Sequence, residues 1–514
     1  MAALITDEFR LFNADNFVES VTDPNNSYYI FIGLPNPVGD LYGRSPDWNQ
    51  DPLAPIDNFS YIRSCYDWMM YGRRITPGNI RRVIRRIDWK KGARFEQYRD
   101  DYSVFNVSPN TSSTRLYDAN YYVVNEDFRV YICLSNGSTG ANPKGNGTED
   151  QPTFIDTEPS AAGSSGDGYI WKYLFTVSPS DVIKFDSTEY ITVPNDWLTS
   201  EDPQIASIRE SGDSDINDSQ LKQVYIDVAG AGYAGGVGQE MRIIGDGTGA
   251  RAIVDVNSGT ITQALISKGG KDYSWGLVDL GPINQNASQA AKLDVIIPPS
   301  IGHGFNIYEE LGTDRVLVYA RFDDSTEDFP IDTQFAQIGL IRNPTIFNST
   351  TLFTENTFTS ANSLKILSFS GKVEIGEVIS QVTPEGIAKG YVCSFDEESK
   401  VLKYIQDRSL YYNPITKTNQ DYVGISTSGK RIPFVSSGDP LSTGSGFLGS
   451  VDTTFNGSTI TVANKAVELG VEFTNGLANP EINKQSGEII YLDNRPLVPR
   501  NPRQKEDVKI ILEF

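Results

Sequence analysis

His303 is the single histidine among 514 residues, so a metal cage built on imidazoles is excluded. Flanked by Gly302 and Gly304, it reads as a turn residue. A Ser-His-Asp triad through it would lack the GxSxG elbow. Cys65, Cys133 and Cys393 lie far apart, with no metal-ligand spacing. So sparse and odd a set argues against a disulfide framework and fits folding in a reducing cytoplasm. Gly230, Gly232 and Gly235 spell GxGxxG after an apparent strand. A dinucleotide site also needs a helix to open at the last glycine, and Gly235 runs instead into Gly236-Val237-Gly238. Gly245 to Gly249 (GDGTG) lacks the Lys and Ser/Thr of a phosphate loop and reads as a turn. Sixty-six acidic residues leave glycoside hydrolysis open. That chemistry needs two carboxylates about 5–10 Å apart, which chain order does not reveal. No catalytic, cofactor or metal residue emerges.

One segment stands out by charge. Arg73, Arg74, Arg81, Arg82, Arg85, Arg86, Lys90, Lys91 and Arg94 form a basic cluster in a chain of net charge −22. Two readings compete. The cations pair with carboxylates of the same chain, at about 0–1 kcal/mol per exposed pair. Alternatively, Arg73, Arg74, Arg81, Arg82, Arg85 and Arg86 form a partner interface. Nucleic acid is disfavoured, because stacking aromatics are not interleaved with the arginines. The overall acidity argues the same way, since phosphate contacts need a concentrated positive surface.

The elements around these residues read as mainly β. The composition is rich in Tyr, Phe, Gly and Pro and poor in Met, which favours strands and turns. Gly166 to Pro194 (GDGYIWKYLFTVSPSDVIKFDSTEYITVP) is the organising stretch. Tyr169, Trp171, Tyr173, Phe175 and Val177 alternate along one strand. Ser178-Pro179 ends it, and Glu189 to Val193 is read as its hairpin partner. Residues 6–20 read as a helix with Phe9, Phe12 and Phe17 as its stripe. Tyr28 to Gly33 is an apolar strand, and Pro35 to Pro55 is a loop around Trp48. Residues 58–71 read as a helix on Phe59, Ile62, Tyr66 and Met69. Residues 119–134 read as two paired strands about Asn125-Glu126. Asn136 to Gly168 is a long polar loop, mobile or wrapped on a neighbour.

Residues 200–220 read as an acidic linker. Between 222 and 283 a Gly-rich β segment echoes itself: VYIDVAGAGY returns about 40 residues later as ALISKGGKDY. Strands follow at Val316 to Phe322 and Phe335 to Ile341. A second β block fills 348–476, with Phe369 to Val378 and Gly390 to Phe395 as strands and 435–450 as loop. Glu488 to Leu492 and Val508 to Phe514 close the chain; so apolar a final strand must be paired. No signal-peptide pattern opens the sequence, and no apolar run approaches the roughly 20 residues that span a bilayer.

Several blocks resemble, in order, the baseplate wedge subunit of T-even-type phages, the gene product eight family. They are Phe9-Arg10, Tyr29 to Gly33, Asp67-Trp68-Met69-Met70, Val83-Ile84 through Asp88-Trp89, Gly166 to Phe175, Glu189 to Pro194, Gln337 to Pro344, and Ser486 to Pro496 with the last strand. The resemblance implies a mainly β, multi-domain, sandwich- or barrel-like structural protein with a few short helices near the N-terminus. It implies a non-enzymatic homodimer without cofactor, located in the tail baseplate of a virion and assembled in the host cytoplasm. Its partners would be other wedge proteins, with no direct nucleic acid, membrane insertion or small-molecule substrate. The wedge body is then residues 1–200, joined by 301–347 and 477–514. Residues 201–300 and 348–476 are two inserted β modules, the first a Gly-rich repeat, the second a small barrel or sandwich. The rival class is a tail-associated protein that binds, or less readily cleaves, glycans through those modules.

Overall fold

The computed structural model describes residues 5–35, 50–212, 220–284, 287–322, 333–413, 418–419, 431–462, 464–500 and 504–514. The loop expected around Trp48 lies, for residues 36–49, outside them. Contacts divide the chain into two units. The first comprises Met1–Phe17, Arg81–Leu317 and Ile511–Phe514; the second comprises Val18–Ile80 and Val318–Ile510. As expected, the architecture is mainly β with a few short helices.

In the first unit, strands β4 (Tyr122–Val124), β5 (Arg129–Asn136) and β6 (Tyr169–Thr176) form one sheet in that order. The five alternating residues from Tyr169 to Val177 are all buried, and so are Lys172 and Leu174 of the opposite face. The hairpin reading fails. β6 pairs with β5, whereas β7 (Tyr190–Val193) pairs with β3 (Ile80–Arg85), Ile84 opposite Ile191. A helix intervenes, α3 (Pro179–Phe185). The Ser178 side chain accepts the Asp181 N–H at its start, and Pro179 occupies the first turn.

Two other segments also differ from expectation. The linker region contains α4 (Pro203–Gly212), opened by Asp202, whose carboxylate accepts the N–H groups of Gln204 and Ile205 at 2.9 and 3.2 Å. Its Ile208 is buried in the aromatic core of this unit. The Asn136 to Gly168 segment is tied to its own unit. Ser160 and Trp171 exchange two backbone bonds of 2.9 Å, and Asp150 accepts from Ser164 and Ser165. In α1 (Asp7–Thr22) the buried positions are Ala14, Val18 and Val21, while Phe9 and Phe12 are exposed.

The Gly-rich segment forms β8 (Gln223–Val228), β9 (Gln239–Gly245), β10 (Arg251–Asn257), β11 (Thr260–Lys268), β12 (Gly276–Val278) and β13 (Lys292–Ile296). Their order is β11-β10-β9-β12-β13-β8. Exchanging β8 with β11, β9 with β12 and β10 with β13 returns that order reversed. The sequence echo is therefore a two-fold repeat in space. Its two tyrosines play matched, crossed roles. Tyr233 of the first repeat accepts the Ala291 N–H just before β13 at 2.8 Å, and Tyr273 of the second accepts the Ala250 N–H just before β10 at 3.2 Å. The backbone bridges cross likewise, Ala231 to Gln289 and Thr248 to Lys271. The GxGxxG glycines enter turns and then strand β9, with no helix, as read from the sequence.

In the second unit the core sheet runs β16 (Thr357–Thr359), β2 (Met69–Ile75), β1 (Tyr28–Gly33), β15 (Gln334–Arg342), β28 (Glu488–Pro499). Every residue of β1 is buried. Here α2 (Phe59–Trp68) stops earlier than expected and Met69 begins a strand. The helix buries Tyr61, Cys65 and Trp68, one stripe at i, i+4 and i+7, and leaves Phe59 exposed.

The second β block closes on itself. β17 (Asn362–Ser370), β18 (Val378–Thr383), β19 (Gly386–Asp396), β20 (Val401–Ile405), β23 (Leu441–Thr443) and β24 (Leu448–Val451) form a ring sealed by β17 against β20. The Phe369 to Val378 strand is really two strand ends joined by a turn, and the 435–450 loop supplies β23 and the start of β24. Buried Leu441 and Phe447 hold them in place. Shorter pieces are β21 (Tyr412–Asn413), β22 (Thr418–Asn419), the ribbon β25 (Gly457–Val462) with β26 (Lys465–Phe473), and β27 (Leu477–Ala478). The terminal strand β29 (Glu506–Glu513) is paired, lying beside β14 (Arg315–Phe322).

Candidate functional site

The arginine segment is placed by strand alternation. Arg81 and Arg85 leave one face of β3, and Arg82 lies on the other, where Arg86 just beyond the strand continues the alternation. Each has internal partners. Arg81 Nε meets Asp181 at 3.0 Å, with its guanidinium 5.2 Å from the Phe185 ring. Arg82, buried, donates to Asp15 at 2.6 Å and stacks 4.2 Å from the Tyr308 ring. Arg85 donates to the carbonyls of Tyr117 and Ala119. Arg86 bridges Asp88 at 2.9 Å and Asp186 at 2.8 Å. Lys91 reaches Glu149 at 3.3 Å. Arg73 and Arg74 belong to β2 of the other unit, where Arg74 donates to the Thr354 carbonyl. Sequence adjacency thus overstates how far the six arginines act together.

Three buried ionisable groups were not singled out from the sequence as site residues. Lys172 is fully buried, and its ammonium donates to the Thr157 carbonyl at 2.7 Å. Burial, aided by the Lys222 charge and opposed by Glu310, lowers its pKa to about 8. Glu310, in α5 (Ile307–Leu311), accepts the Gly304 N–H at 2.7 Å and contacts His303 Nδ1 at 2.6 Å. The histidine sits in the expected turn but is buried, its ring edge-on to Tyr98. Gly304 has φ +87°, and a Cβ there would lie 3.2 Å from the Lys172 Cε. Glu96, also buried, accepts from the N–H groups of Asn110 and Thr111 at 2.7 and 2.9 Å. The signal for Lys172 is a lysine inside an aromatic strand; Glu96 and Glu310 give none in their local pattern.

The second unit holds its own buried network. Asp67 pairs with Arg431, and Trp68 Nε1 donates to Asp407. Burial raises the Asp67 pKa against the pull of Arg431, and burial lowers that of Lys484 to about 8. Among the described residues, no group of three or more His, Cys, Asp or Glu side chains is placed to hold a metal ion. The three cysteines are buried thiols whose pKa burial raises. These networks brace the interior.

A family profile described as "Bacteriophage T4, Gp8" matches residues 130–211. Those residues contain β6, α3 and β7, nearly all of β5 and most of the visible α4. That segment of the chain is similar to the Gp8 family. It is also 25% identical over 228 residues to the "Baseplate wedge protein gp8" of Enterobacteria phage T4, covering 39% of this chain and 63% of that relative's length. The family resemblance seen in the sequence is borne out.

Proposed function

We propose that this protein is a structural subunit of a contractile phage tail baseplate wedge. It would act in the virion as a homodimer, link neighbouring wedge proteins, and rearrange with them on host attachment. Residues 201–300 and 348–476 would be modules inserted into the wedge body. The observation that carries this reading is the Gp8 match over 130–211, which falls on the sheet and helices that hold the aromatic core. The interior agrees with it. The buried charges of Lys172, Glu96, Glu310 and Arg82 are held by backbone groups or by neighbouring side chains, as a rigid scaffold needs. Assembly then depends on surfaces, through large contacts with alternative arrangements. The arginine segment is the weaker docking candidate, because its charge is already matched within the chain.

Light scattering tests the reading. The purified protein should have the mass of a dimer and should enter a larger, defined complex when purified wedge proteins of the same virus are added. A monomer that ignores them would sink it. Glycan capture by the first module has one observation in its favour: Trp275 stands exposed beside exposed Ile244 and Leu277, which pair across β9 and β12. Loss of binding on a glycan array after Trp275→Ala is the expected result for that reading, and an array blank for the intact protein would dismiss it.

A further inference from the structure

The loop following Glu96 carries hydrophobic residues outward on a rigid stem. Phe105 is 97% exposed and Val104 71%. A tight turn presents them: Ser103 and Asn106 exchange two backbone bonds of 3.0 and 3.1 Å. The stem is anchored below. The buried Glu96 carboxylate accepts the Asn110 and Thr111 N–H groups and the Asn110 side-chain amide at 3.2 Å. Ser108 closes the loop, its hydroxyl 2.6 Å from that of Thr111 and accepting the Ser113 N–H at 2.8 Å. A buried carboxylate engaged in this way holds the tip in one conformation, so little loop entropy remains to be lost on binding. An ordered, fully exposed aromatic tip is an anchor shape rather than a core element.

Beneath the tip lies a groove of about 440 Å³, bordered by Phe105 and Asn106. Among the described residues, Glu96, Asp101, Asp227 and Asp294 line it together with two cations, Arg99 and Lys292. Arg99 is engaged by Asp101 at 2.7 Å and lies 4.4 Å from the Tyr225 ring; Lys292 is engaged by Asp227 at 2.8 Å. The groove therefore carries excess negative charge next to the apolar tip. A second copy, with net charge −22 of its own, is a poor match. An anionic membrane is a poor match for the same reason.

We propose that the Val104-Phe105 tip and this acidic groove together form a docking surface for another wedge protein. That partner covers Phe105 with an apolar socket and lays a lysine or arginine into the groove. The proposal rests on the wedge reading. The test uses the full chain and the purified remaining wedge proteins of the same virus. Phe105→Ser should keep the wild-type melting temperature and weaken complex formation about tenfold or more. Asp227→Asn should weaken it by less and flatten its salt dependence. A photo-crosslinking phenylalanine analogue at position 105 should attach to a segment of another wedge protein that contains Lys or Arg. Wild-type complex formation with Phe105→Ser binding unchanged would overturn the proposal. So would crosslinks only to a second copy, or capture of phosphatidylglycerol vesicles that depends on Phe105. A wild-type protein that joins no wedge protein would refute the wedge reading, and this proposal with it.

Discussion

The arginines from Arg81 to Arg86 and the Phe105 loop lie in the same unit and contrast in almost every respect. The first is conspicuous in sequence and directed inward: Arg81, Arg82, Arg85 and Arg86 all have partners in their own chain. The second is inconspicuous in sequence, a stretch reading SVFNV, yet directed outward on a stem held by a buried glutamate. Charge density along the chain reports composition. What a surface offers a partner depends on which groups remain unmatched after folding, and alternation along β3 divides the arginines before any partner arrives.

The largest expected effect concerns Lys172, a core cation whose ammonium donates to the Thr157 carbonyl. Its pKa falls from 10.5 to about 8. Below pH 8 both folded and unfolded chains carry the charge and its burial cost is fully present. Between pH 8 and 10.5 the unfolded chain holds more protons, so stability rises with pH until tyrosine ionisation in the unfolded chain opposes it near pH 10. Lys172→Met should raise stability at pH 7 by about 3 kcal/mol and reduce that slope, leaving the part contributed by buried Lys484, whose pKa is also lowered to about 8. Denaturant titrations from pH 6 to 10 measure it; an unchanged slope would contradict the assignment.

Next comes Arg82. Arg82→Ala leaves Asp15 and the Tyr308 ring without their cation and should cost about 2 kcal/mol, because Asp15 is partly exposed and keeps some hydration. Arg86→Ala, which removes a more exposed arginine, should cost about 0.5–1 kcal/mol. If the two cost the same in urea titrations, the inward direction of the segment is misread. Glu96→Ala should cost about 1–2 kcal/mol and release the loop, seen as faster amide exchange at Asn110 and Thr111. The smallest effect belongs to the tip itself. Phe105→Ser should change stability by less than about 0.5 kcal/mol, since the ring touches little of its own chain. A loss of several kcal/mol would show that the tip is structural and break the contrast.

The same contrast explains what was legible in the sequence. Period-2 alternation located β6, the apolar stretches at 316–322 and 335–341 located β14 and β15, and the turn signal at Asn125-Glu126 located the β4–β5 pair, because these are local properties. The echo between Tyr233 and Tyr273 was visible, but the crossing of their hydroxyls to Ala291 and Ala250 was not, since it depends on how distant strands pair. The hairpin reading of β6 and β7 failed for that reason, although Ser178-Pro179 followed by Asp181 already spelled a helix start. The 200–220 stretch looked like a linker by charge, yet Asp202 caps a helix whose Ile208 completes the core. Glu96 and Glu310 passed unremarked because a carboxylate that binds backbone N–H groups resembles, in sequence, one that meets water.

On the wedge account, the most direct measurement of the central claim is a cryo-electron microscopy map of the virions that would contain this chain, with the chain placed by fitting. The wedge account predicts density for the Tyr169–Val193 body within the baseplate, with the Phe105 tip covered by a neighbouring wedge chain. A chain absent from the particle, or found only on the tail fibres, would contradict it.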